Sequence, residues 1–519
     1  MDVERDILWI DDEIDLLQSH IIFLSERGYK VTPVSNGDDA VALVRKRSFD
    51  VILLDEMMSG RDGLSTLAEL REINPNIPVI MITKSEAEEL MEDAIGQRID
   101  DFLIKPVNPS QILSTCKRLL DAKHIRENRI GRDYVSEFNR IRALLSGPLH
   151  WRDWIDIHGH LSEWDLEIER FRDAGLRQMH QDHRRECDLE FGIYIERMYR
   201  SWLREEDPPL LSVDVLSEFV VPHLTAGNQV YFIVVDCLRL DHWLAIEPLL
   251  AEFFTIRRDY HYSILPTATP YSRNAIFSGL FPDELAKQYP ALWQSGQDDD
   301  RSLNRHEHRL MDLQLERMGL KSVSDTRYIK VLDVAEGRSL VRRIHSFASI
   351  PLTAVVFNFI DILAHGRSES DILQEIAPNE AAFRSLTLSW FKHSSLFEML
   401  RRVAETDAVV VLTSDHGSVL GTRATIARGN RGTSTNLRYK YGSNLNCDRR
   451  QALLIRDPSE YKLPSIGMSS NFIIAKEDFY FVYPSKFHEY ERQYRDSFQH
   501  GGISLEEMIL PVVVMKGKG

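Results

Sequence analysis

Seven residues with side chains that bind metal ions or attack phosphorus lie between positions 236 and 500. They are Asp236, Thr269, Asp361, His365, Asp415, His416 and His500. Asp361 and His365 are separated by three residues, so both side chains can reach one ion from one helical turn or tight loop. Asp415 and His416 are adjacent and precede Gly417, where the backbone can turn sharply. The set predicts a two-metal site for phosphoryl transfer.

A second group of charged residues lies near the N-terminus. Asp11 and Asp12 follow the apolar run Ile7–Ile10, and Asp55 follows Val51–Leu54. Three carboxylates at strand ends repel one another unless a hard cation joins them, and Mg²⁺ suits such a cluster. Lys105 would help to neutralise the charge that develops as a phosphoryl group passes to Asp55, and Thr83 can hydrogen-bond the new phosphate.

The elements that carry these residues fall into three segments, with predicted bounds 1–122, 123–207 and 208–519. The first alternates short apolar strands, including Val79–Ile82, with helical segments such as Ile14–Glu26 and Asp38–Arg47, which is typical of a doubly wound α/β domain. The second has helical spacing broken at Gly147-Pro148, and its tryptophans are interpreted as core residues. The third returns to an α/β pattern, with strands predicted at Val230–Val235, Ala354–Phe359, Val409–Leu412 and Val512–Met515. Several of these strands run directly into an aspartate of the metal set, as expected for open α/β sheets.

Composition excludes several classes of protein. The 519 residues are 43% hydrophobic and 27% charged, and no apolar stretch is long enough to span a membrane. The acidic start at Met1–Glu4 is unlike a secretory signal, so a cytoplasmic location is expected. The four cysteines are far apart and are interpreted as reduced core thiols. The formal net charge of −16 and the absence of a helix-turn-helix pattern argue against direct DNA binding.

The first 120 residues resemble the receiver domain of two-component response regulators. The resemblance rests on Asp11, Asp12, Asp55, Thr83 and Lys105-Pro106, with Phe102 three residues before the lysine. It implies phosphorylation of Asp55 by a histidine kinase, a Mg²⁺ ion that Met57 also binds through its backbone carbonyl, and a switch formed by Thr83 and Phe102. Ser59 stands where receivers usually have proline.

Residues 210–519 resemble the PglZ-type branch of the alkaline phosphatase superfamily. The matching stretches are Val234–Asp236, Pro266–Pro270, Asp361 with His365, Thr413–Gly417 and His500–Gly502. The resemblance implies that Asp361, His365 and His500 bind one metal ion, and that Asp236, Asp415, His416 and the nucleophile Thr269 bind the other. Mixed imidazole and carboxylate ligands favour Zn²⁺, with Mn²⁺ as the alternative.

Thr269 has two nearby rivals as the nucleophile, Thr267 and Ser272. A threonine hydroxyl becomes reactive when a metal ion lowers its pKa, after which it would form a phosphothreonine that water hydrolyses.

The substrate is less clearly defined by the sequence. No acidic residue lies between Asp415 and Asp448, a segment that also holds Arg423 and Lys440. A basic loop beside two metal ions favours a phosphodiester of a linear or cyclic oligonucleotide. An ordinary solvated loop is the alternative. The candidate substrate contacts are Arg273, Arg428, Arg431 and Arg438. Four further histidines, at positions 158, 160, 306 and 308, are interpreted as surface residues.

Over its whole length the chain resembles PorX-type response regulators. That resemblance implies a sensor histidine kinase, a role in type IX secretion and a sigma factor as a candidate partner. We further hypothesise that phosphorylation of Asp55 repacks the receiver surface near Phe102 and promotes a two-fold homodimer. A catalytically silent phosphatase domain that docks a partner protein is the alternative function.

Overall fold

A computed structural model describes residues 5–75, 77–84, 99–170, 173–204, 206–293, 304–320, 325–429, 434, 436–465, 470–485 and 487–518. The chain divides into two compact units, Met1–Ser136 and Glu137–Gly519. Within the described residues, no helix is both long enough and apolar enough to cross a membrane.

The first unit contains a five-stranded parallel sheet in the order β2-β1-β3-β4-β5. The strands are β1 (Arg5–Ile10), β2 (Tyr29–Val34), β3 (Val51–Asp55), β4 (Val79–Thr83) and β5 (Asp101–Ile104), and the helices are Gln18–Ser25, Gly37–Val44 and Gly63–Ile73. Alternate residues of β1 and β3 enter separate apolar clusters on the two faces of the sheet, so both faces are covered. The structure confirms the predicted doubly wound fold.

Three helices make up the segment between the α/β regions. Pro109–Leu145 spans the boundary between the units, and Trp151–Glu169 and Ala174–Trp202 follow it. The first break lies at the predicted Gly147-Pro148, and His150 caps the next helix in a capping box with Asp153.

The structure agrees with the core prediction for two tryptophans of these helices but not with the surface prediction for one histidine. Trp154 and Trp202 are buried, as expected of core residues, and Trp151 and Trp164 are half-buried. The interpretation of His158 as a surface residue is wrong, because its side chain is 1% exposed. Its helix position faces the core, and burial lowers its pKa to about 4, which keeps the imidazole neutral.

The second unit is built around a six-stranded sheet in the order β7-β18-β10-β6-β9-β8. Strands β10, β6, β9 and β8 are parallel, whereas β18 is antiparallel to both of its neighbours. The strands of this unit are β6 (Val230–Val235), β7 (Phe254–Tyr262), β8 (Thr326–Val331), β9 (Leu352–Phe357), β10 (Val409–Thr413), β11 (Val419–Gly421), β12 (Arg423–Ile426), β13 (Tyr439–Ser443), β14 (Ala452–Ile455), β15 (Ser470–Ala475), β16 (Phe479–Val482), β17 (Ser497–Gln499) and β18 (Ile509–Gly517). The four predicted strands are all present, and the largest boundary error is at β18, which begins three residues earlier than predicted.

Helices cover both faces of this sheet. The helices of this unit after the linker are Val221–Thr225, Leu240–Leu250, Thr269–Ser278, Pro282–Gln288, Glu307–Arg317, Val334–Arg343, Phe359–Glu369, Asp371–Ile376, Glu380–His393, Ser395–Val403, Phe487–Tyr494 and Leu505–Met508. Residues of the segment Trp151–Trp202, including Ile157 and Tyr199, share one apolar core with β6 and β7. These linker helices are therefore part of the packed second unit.

Candidate metal and phosphoryl-transfer site

The sheet of the second unit brings three aspartates to one edge. Asp236 directly follows β6, Asp361 lies in the first turn of the helix after β9, and Asp415 lies two residues beyond β10. Strands β10, β6 and β9 are adjacent and parallel, so their carboxyl ends meet at the same edge of the sheet. Cys237 has a positive φ of 67°, which is unusual for a residue with a side chain and marks the sharp turn after Asp236.

His416 and His500 come from two loops that pack together. His500 follows β17, which pairs with β11 just beyond His416. A Cβ atom on Gly417 would lie 1.9 Å from the carbonyl oxygen of Glu506. The close approach of the two loops therefore requires glycine at position 417.

Asp361, His365 and His500 form the first cluster. His365 Nε2 lies 3.2 Å from His500 Nε2 and 3.3 Å from Asp361 Oδ1, and the distance from His500 Nε2 to the same oxygen is 3.5 Å. A tetrahedral zinc ion with ligands at about 2.0–2.1 Å spaces its ligand atoms about 3.3–3.4 Å apart. The three atoms are thus spaced as ligands of one ion.

Asp236, Asp415, His416 and Thr269 form the second cluster. His416 Nε2 lies 3.4 Å from Asp236 Oδ1, 3.7 Å from Asp415 Oδ2 and 2.8 Å from Thr269 Oγ1. The His416 and His500 rings stack with centroids 4.1 Å apart, so the two clusters are neighbours. The structure brings all seven residues of the metal set into one site.

The three candidate nucleophiles differ in their surroundings. Thr269 is half-buried and is the first residue of the helix Thr269–Ser278, whose N-terminus favours negative charge. Thr267 is buried and donates its hydroxyl hydrogen to the carbonyl oxygen of Gly502 at 2.8 Å. Ser272 is also buried, and its Oγ lies 2.8 Å from that of Ser263. Of the three, only the Thr269 hydroxyl lies against a residue of the metal clusters in the described contacts.

The buried carboxyl groups have strongly perturbed pKa values. Burial raises the pKa of Asp236 to about 7, with a further contribution from nearby Asp415, while Arg273 opposes the shift. Burial raises the pKa of Asp415 to about 6, again against the effect of Arg273. Burial would also raise the pKa of Asp361, but the neighbouring imidazoles, His365 foremost, hold it below its usual value. Asp236 and Asp415 are therefore costly to ionise without a cation.

The residues fit the divalent metal ions that the resemblance implies. Asp236 Oδ1, Asp361 Oδ1 and Asp415 Oδ2 are buried and have no hydrogen-bond partner among the described residues. All three oxygens belong to the two clusters, and native proteins rarely leave such acceptors unpaired. The mixture of imidazole and carboxylate donors suits Zn²⁺ or Mn²⁺.

The predicted basic substrate loop is largely wrong, because most of its cations are paired within the protein. Arg438 is fully buried, with Nε donating to Glu507 Oε1 at 3.1 Å. Arg423 pairs with Glu477 and Asp478, and Lys440 donates to the carbonyl oxygen of Ser434 at 3.0 Å. The side chain of Arg428 is exposed, and Arg431 lies outside the described residues.

The guanidinium of Arg273, a predicted substrate contact, binds carboxylates of the protein instead. It is 1% exposed and donates to Asp236 Oδ2 and to Glu307 Oε1, each at 2.6 Å. Asn358 Nδ2 also donates to Asp236 Oδ2, at 2.7 Å. Neither Asn358 nor Glu307 is recognisable as a site residue from the sequence, because Asn358 falls inside the predicted strand Ala354–Phe359 and Glu307 reaches Asp236 only through Arg273.

The first unit holds the third acidic cluster, Asp11, Asp12 and Asp55. Lys105 Nζ lies 2.8 Å from Asp55 Oδ2 and 3.0 Å from Asp11 Oδ2. Burial raises the pKa of Asp55, an effect that Lys105 opposes and Asp11 reinforces. Ser59 donates both its backbone N–H and its hydroxyl hydrogen to Asp12 Oδ2, at 2.9 and 3.0 Å.

The remaining residues predicted around this cluster lie at the same end of the sheet. Thr83 ends β4, and its carbonyl oxygen accepts from the backbone N–H of Lys105 at 2.7 Å. Phe102 is half-buried on β5, and the Met57 side chain is 64% exposed. The structure thus places the predicted phospho-acceptor, its lysine and its threonine together.

Comparison with known proteins agrees with this division of the chain. Residues 215–515 match the family model of the BREX system PglZ alkaline phosphatase-like domain. The chain belongs to the PglZ alkaline phosphatase-like family. Residues 7–117 match the response regulator receiver domain, and residues 124–203 match the PorX response regulator linker domain. This order of domains is that of a PorX-type response regulator, and the PglZ domain is its output domain.

Similar curated proteins and solved structures cover a smaller part of the chain. The transcriptional regulatory protein ZraR of Escherichia coli (strain K12) is 34% identical over 119 residues, covering 23% of this chain and 27% of ZraR. ResD of Bacillus subtilis (strain 168) is 32% identical over 117 residues, covering 22% of this chain and 48% of ResD. Chemotaxis protein CheY4 of Vibrio cholerae is 28% identical with a TM-score of 0.22, covering 23% of this chain and 100% of CheY4. The chain therefore spans less than half the length of these curated relatives.

Proposed function

We propose that this PglZ-family regulator is a metal-dependent phosphoric ester hydrolase whose activity responds to phosphorylation of Asp55. The observation that supports the enzyme proposal is the position of Thr269 beside two neighbouring ligand clusters: its Oγ1 lies 2.8 Å from His416 Nε2 of the second cluster, and the His416 ring stacks on His500 of the first. Asp361, His365 and His500 would bind one Zn²⁺ ion, and Asp236, Asp415, His416 and Thr269 would bind the other. A pure docking module has no evident need for this arrangement.

The proposed reaction is an in-line displacement at phosphorus. Bound metal ions would supply the positive charge that activates the threonine hydroxyl and stabilises the attacking and leaving oxygens. Thr269 Oγ1 forms a bond to phosphorus as the bond to the leaving alcohol breaks, and the hydroxyl proton ends on that alcohol. Water then attacks the phosphothreonine, which restores the hydroxyl and releases the phosphate product. The N-terminus of the helix Thr269–Ser278 favours the negative charge in both steps.

We further propose that the substrate is a phosphodiester of the nucleotide type. The side chain of His365 is 48% exposed, so the site opens to solvent. Among the described cations of the predicted basic loop, exposed Arg428 remains a candidate contact.

Metal content and hydrolysis of a bis-aryl phosphodiester, with an aryl phosphomonoester as comparison, test the enzyme proposal. Thr269→Val should lower kcat by about 10³-fold or more, because it removes the nucleophile. Thr225→Val is the matched control, since this exposed helical hydroxyl bonds only the carbonyl oxygen of Val221, at 2.9 Å, among its described contacts. Two bound metal ions with turnover of the diester that is lost only in Thr269→Val would support the proposal. Bound metal without turnover of either ester would favour the docking module.

The receiver unit provides the basis for the regulatory part of the proposal. We infer that a sensor histidine kinase phosphorylates Asp55, that Thr83 and Phe102 respond, and that a two-fold homodimer forms. Mg²⁺ bound by Asp11, Asp12, Asp55 and the Met57 carbonyl would support the transfer. Sedimentation with and without beryllofluoride, a phosphoryl mimic, should show a doubling of mass, and an unchanged mass would reject this part. On the PorX resemblance, the output would act in the cytoplasm on type IX secretion, with a sigma factor as a partner.

A further inference from the structure

Asp236 has two carboxylate oxygens in very different surroundings. Its Oδ2 accepts two hydrogen bonds, from Arg273 at 2.6 Å and from Asn358 at 2.7 Å. Its Oδ1 is buried, has no hydrogen-bond partner in the described part of the chain, and lies 3.4 Å from His416 Nε2. The two donors therefore fix the carboxylate so that one oxygen is satisfied and the other faces the second cluster.

Asn358 departs from the usual behaviour of asparagine at its position. It is the N-cap residue of the helix Phe359–Glu369, where asparagine normally accepts a hydrogen bond from the first turn of the helix. No such cap bond forms within the described residues, and Asn358 Oδ1 is buried without a partner. Because a carboxylate oxygen can only accept, the amide nitrogen must face Asp236. Asn358 thus lacks the cap hydrogen bond that would stabilise its helix, which indicates that its amide serves a function instead.

Arg273 is held by a second layer of contacts. Its Nε donates to Glu307 Oε1 at 2.6 Å, and Asn304 donates to the same oxygen at 2.9 Å. Tyr328 donates its hydroxyl hydrogen to the other oxygen of Glu307. Arg273 is thus fixed at both ends, between Glu307 and Asp236, and its position does not depend on a substrate.

We propose that Asn358, together with Arg273, is a positioning residue that presents Asp236 to the metal ion through Oδ1 alone. The contact from Asn358 also links the two metal clusters, because its backbone begins the helix that carries Asp361 and His365. Outer contacts of this kind typically change metal affinity by about 10–100-fold. The inference rests on the metal binding of the proposed function, but it does not require turnover.

Asn358→Leu removes the amide donor at similar side-chain volume. Asn228→Leu is the matched control, because Asn228 is also half-buried and its amide donates to one backbone carbonyl oxygen, that of His223 at 3.3 Å. The full-length chain is stripped of metal and titrated with Zn²⁺ against a competing chelator, and unfolding of the metal-free variants is measured in parallel. We expect Asn358→Leu to weaken Zn²⁺ binding at one site by about 10–100-fold, whereas Asn228→Leu leaves affinity unchanged.

Asn358→Gln keeps an amide and provides the rescue variant. Partial recovery of Zn²⁺ affinity in Asn358→Gln, with equal stability of the metal-free Leu and Gln variants, would support positioning. Equal affinities in the native chain and Asn358→Leu would overturn the inference while leaving the hydrolase proposal intact. Failure of the native chain to bind Zn²⁺ at all would instead overturn the metal site itself.

Discussion

Replacement of Arg184 should show how strongly the linker helices are tied to the candidate catalytic site. Arg184 lies on the helix Ala174–Trp202 and is 7% exposed. Its guanidinium donates to Asp165 Oδ2 at 2.5 Å and also to Glu506 Oε1, which belongs to the segment after His500. One buried cation thus compensates two buried carboxylates, one from the linker helices and one beside a metal ligand.

Arg184→Met removes this cation from both carboxylates, and Asp165 keeps His180, whose Nε2 lies 2.9 Å from its Oδ1. Removing one partner of a buried ion pair costs about 3–5 kcal/mol. The second unit has roughly 380 residues, and an unfolding entropy of about 2.1 cal/mol/K per residue gives close to 0.8 kcal/mol/K. The expected decrease in the Tm of this unit is therefore about 4–6 °C.

The neighbouring Arg185→Met is the control. Arg185 lies 3.5 Å from Asp182, and both side chains are about 60% exposed, so this pair contributes at most about 1 kcal/mol. Calorimetry of the full-length chain should therefore show a change of about 1 °C or less for Arg185→Met. Adding Glu506→Gln to Arg184→Met removes one uncompensated charge and should recover part of the loss. Equal Tm values for Arg184→Met and Arg185→Met would refute the reasoning and show that this ion pair does not stabilise the packing of the linker helices.

Two further predictions concern the loops and carboxylates of the candidate site. Gly417→Ala should destabilise the second unit by about 1–3 kcal/mol, because its Cβ would overlap the Glu506 carbonyl oxygen. Gly159→Ala is the control: Gly159 lies within a helix with open space around the new methyl group, so this change should stabilise the unit by about 0.5–1 kcal/mol. Denaturant unfolding compares the two variants, and equal losses of stability would contradict the steric argument. In metal-free protein, the raised pKa of Asp236, about 7, means that stability falls as pH rises from the ordinary aspartate value through 7. Metal-free Asp236→Asn should therefore exceed the native chain in unfolding free energy by more at pH 8 than at pH 5, and a pH-independent difference would contradict the assigned shift.

The sequence determined the type of each domain and most of the strands. Runs such as Val230–Val235 and Val409–Leu412 are apolar at every position, which is typical of strands buried on both faces. The aspartates at the ends of these runs were recognisable because parallel strands deliver their carboxyl ends to one edge. Residue type and strand placement therefore predicted the three aspartates of the metal set, whereas the grouping of all seven residues and the role of Thr269 followed from the resemblance to the PglZ-type branch.

Features that depend on long-range contacts could be found only in the tertiary structure. Arg438 belongs to a segment that looks basic in sequence, but its partner Glu507 is 69 positions away. His158 has an unremarkable polar neighbourhood in sequence and is buried because its helix packs into the second unit. The pairing of Asn358 with Asp236 depends on the register of β9 beside β6, which no local pattern encodes. Residue type determines which chemistry is available, whereas the packing of distant segments decides which charges are neutralised internally and which remain for a metal ion or substrate.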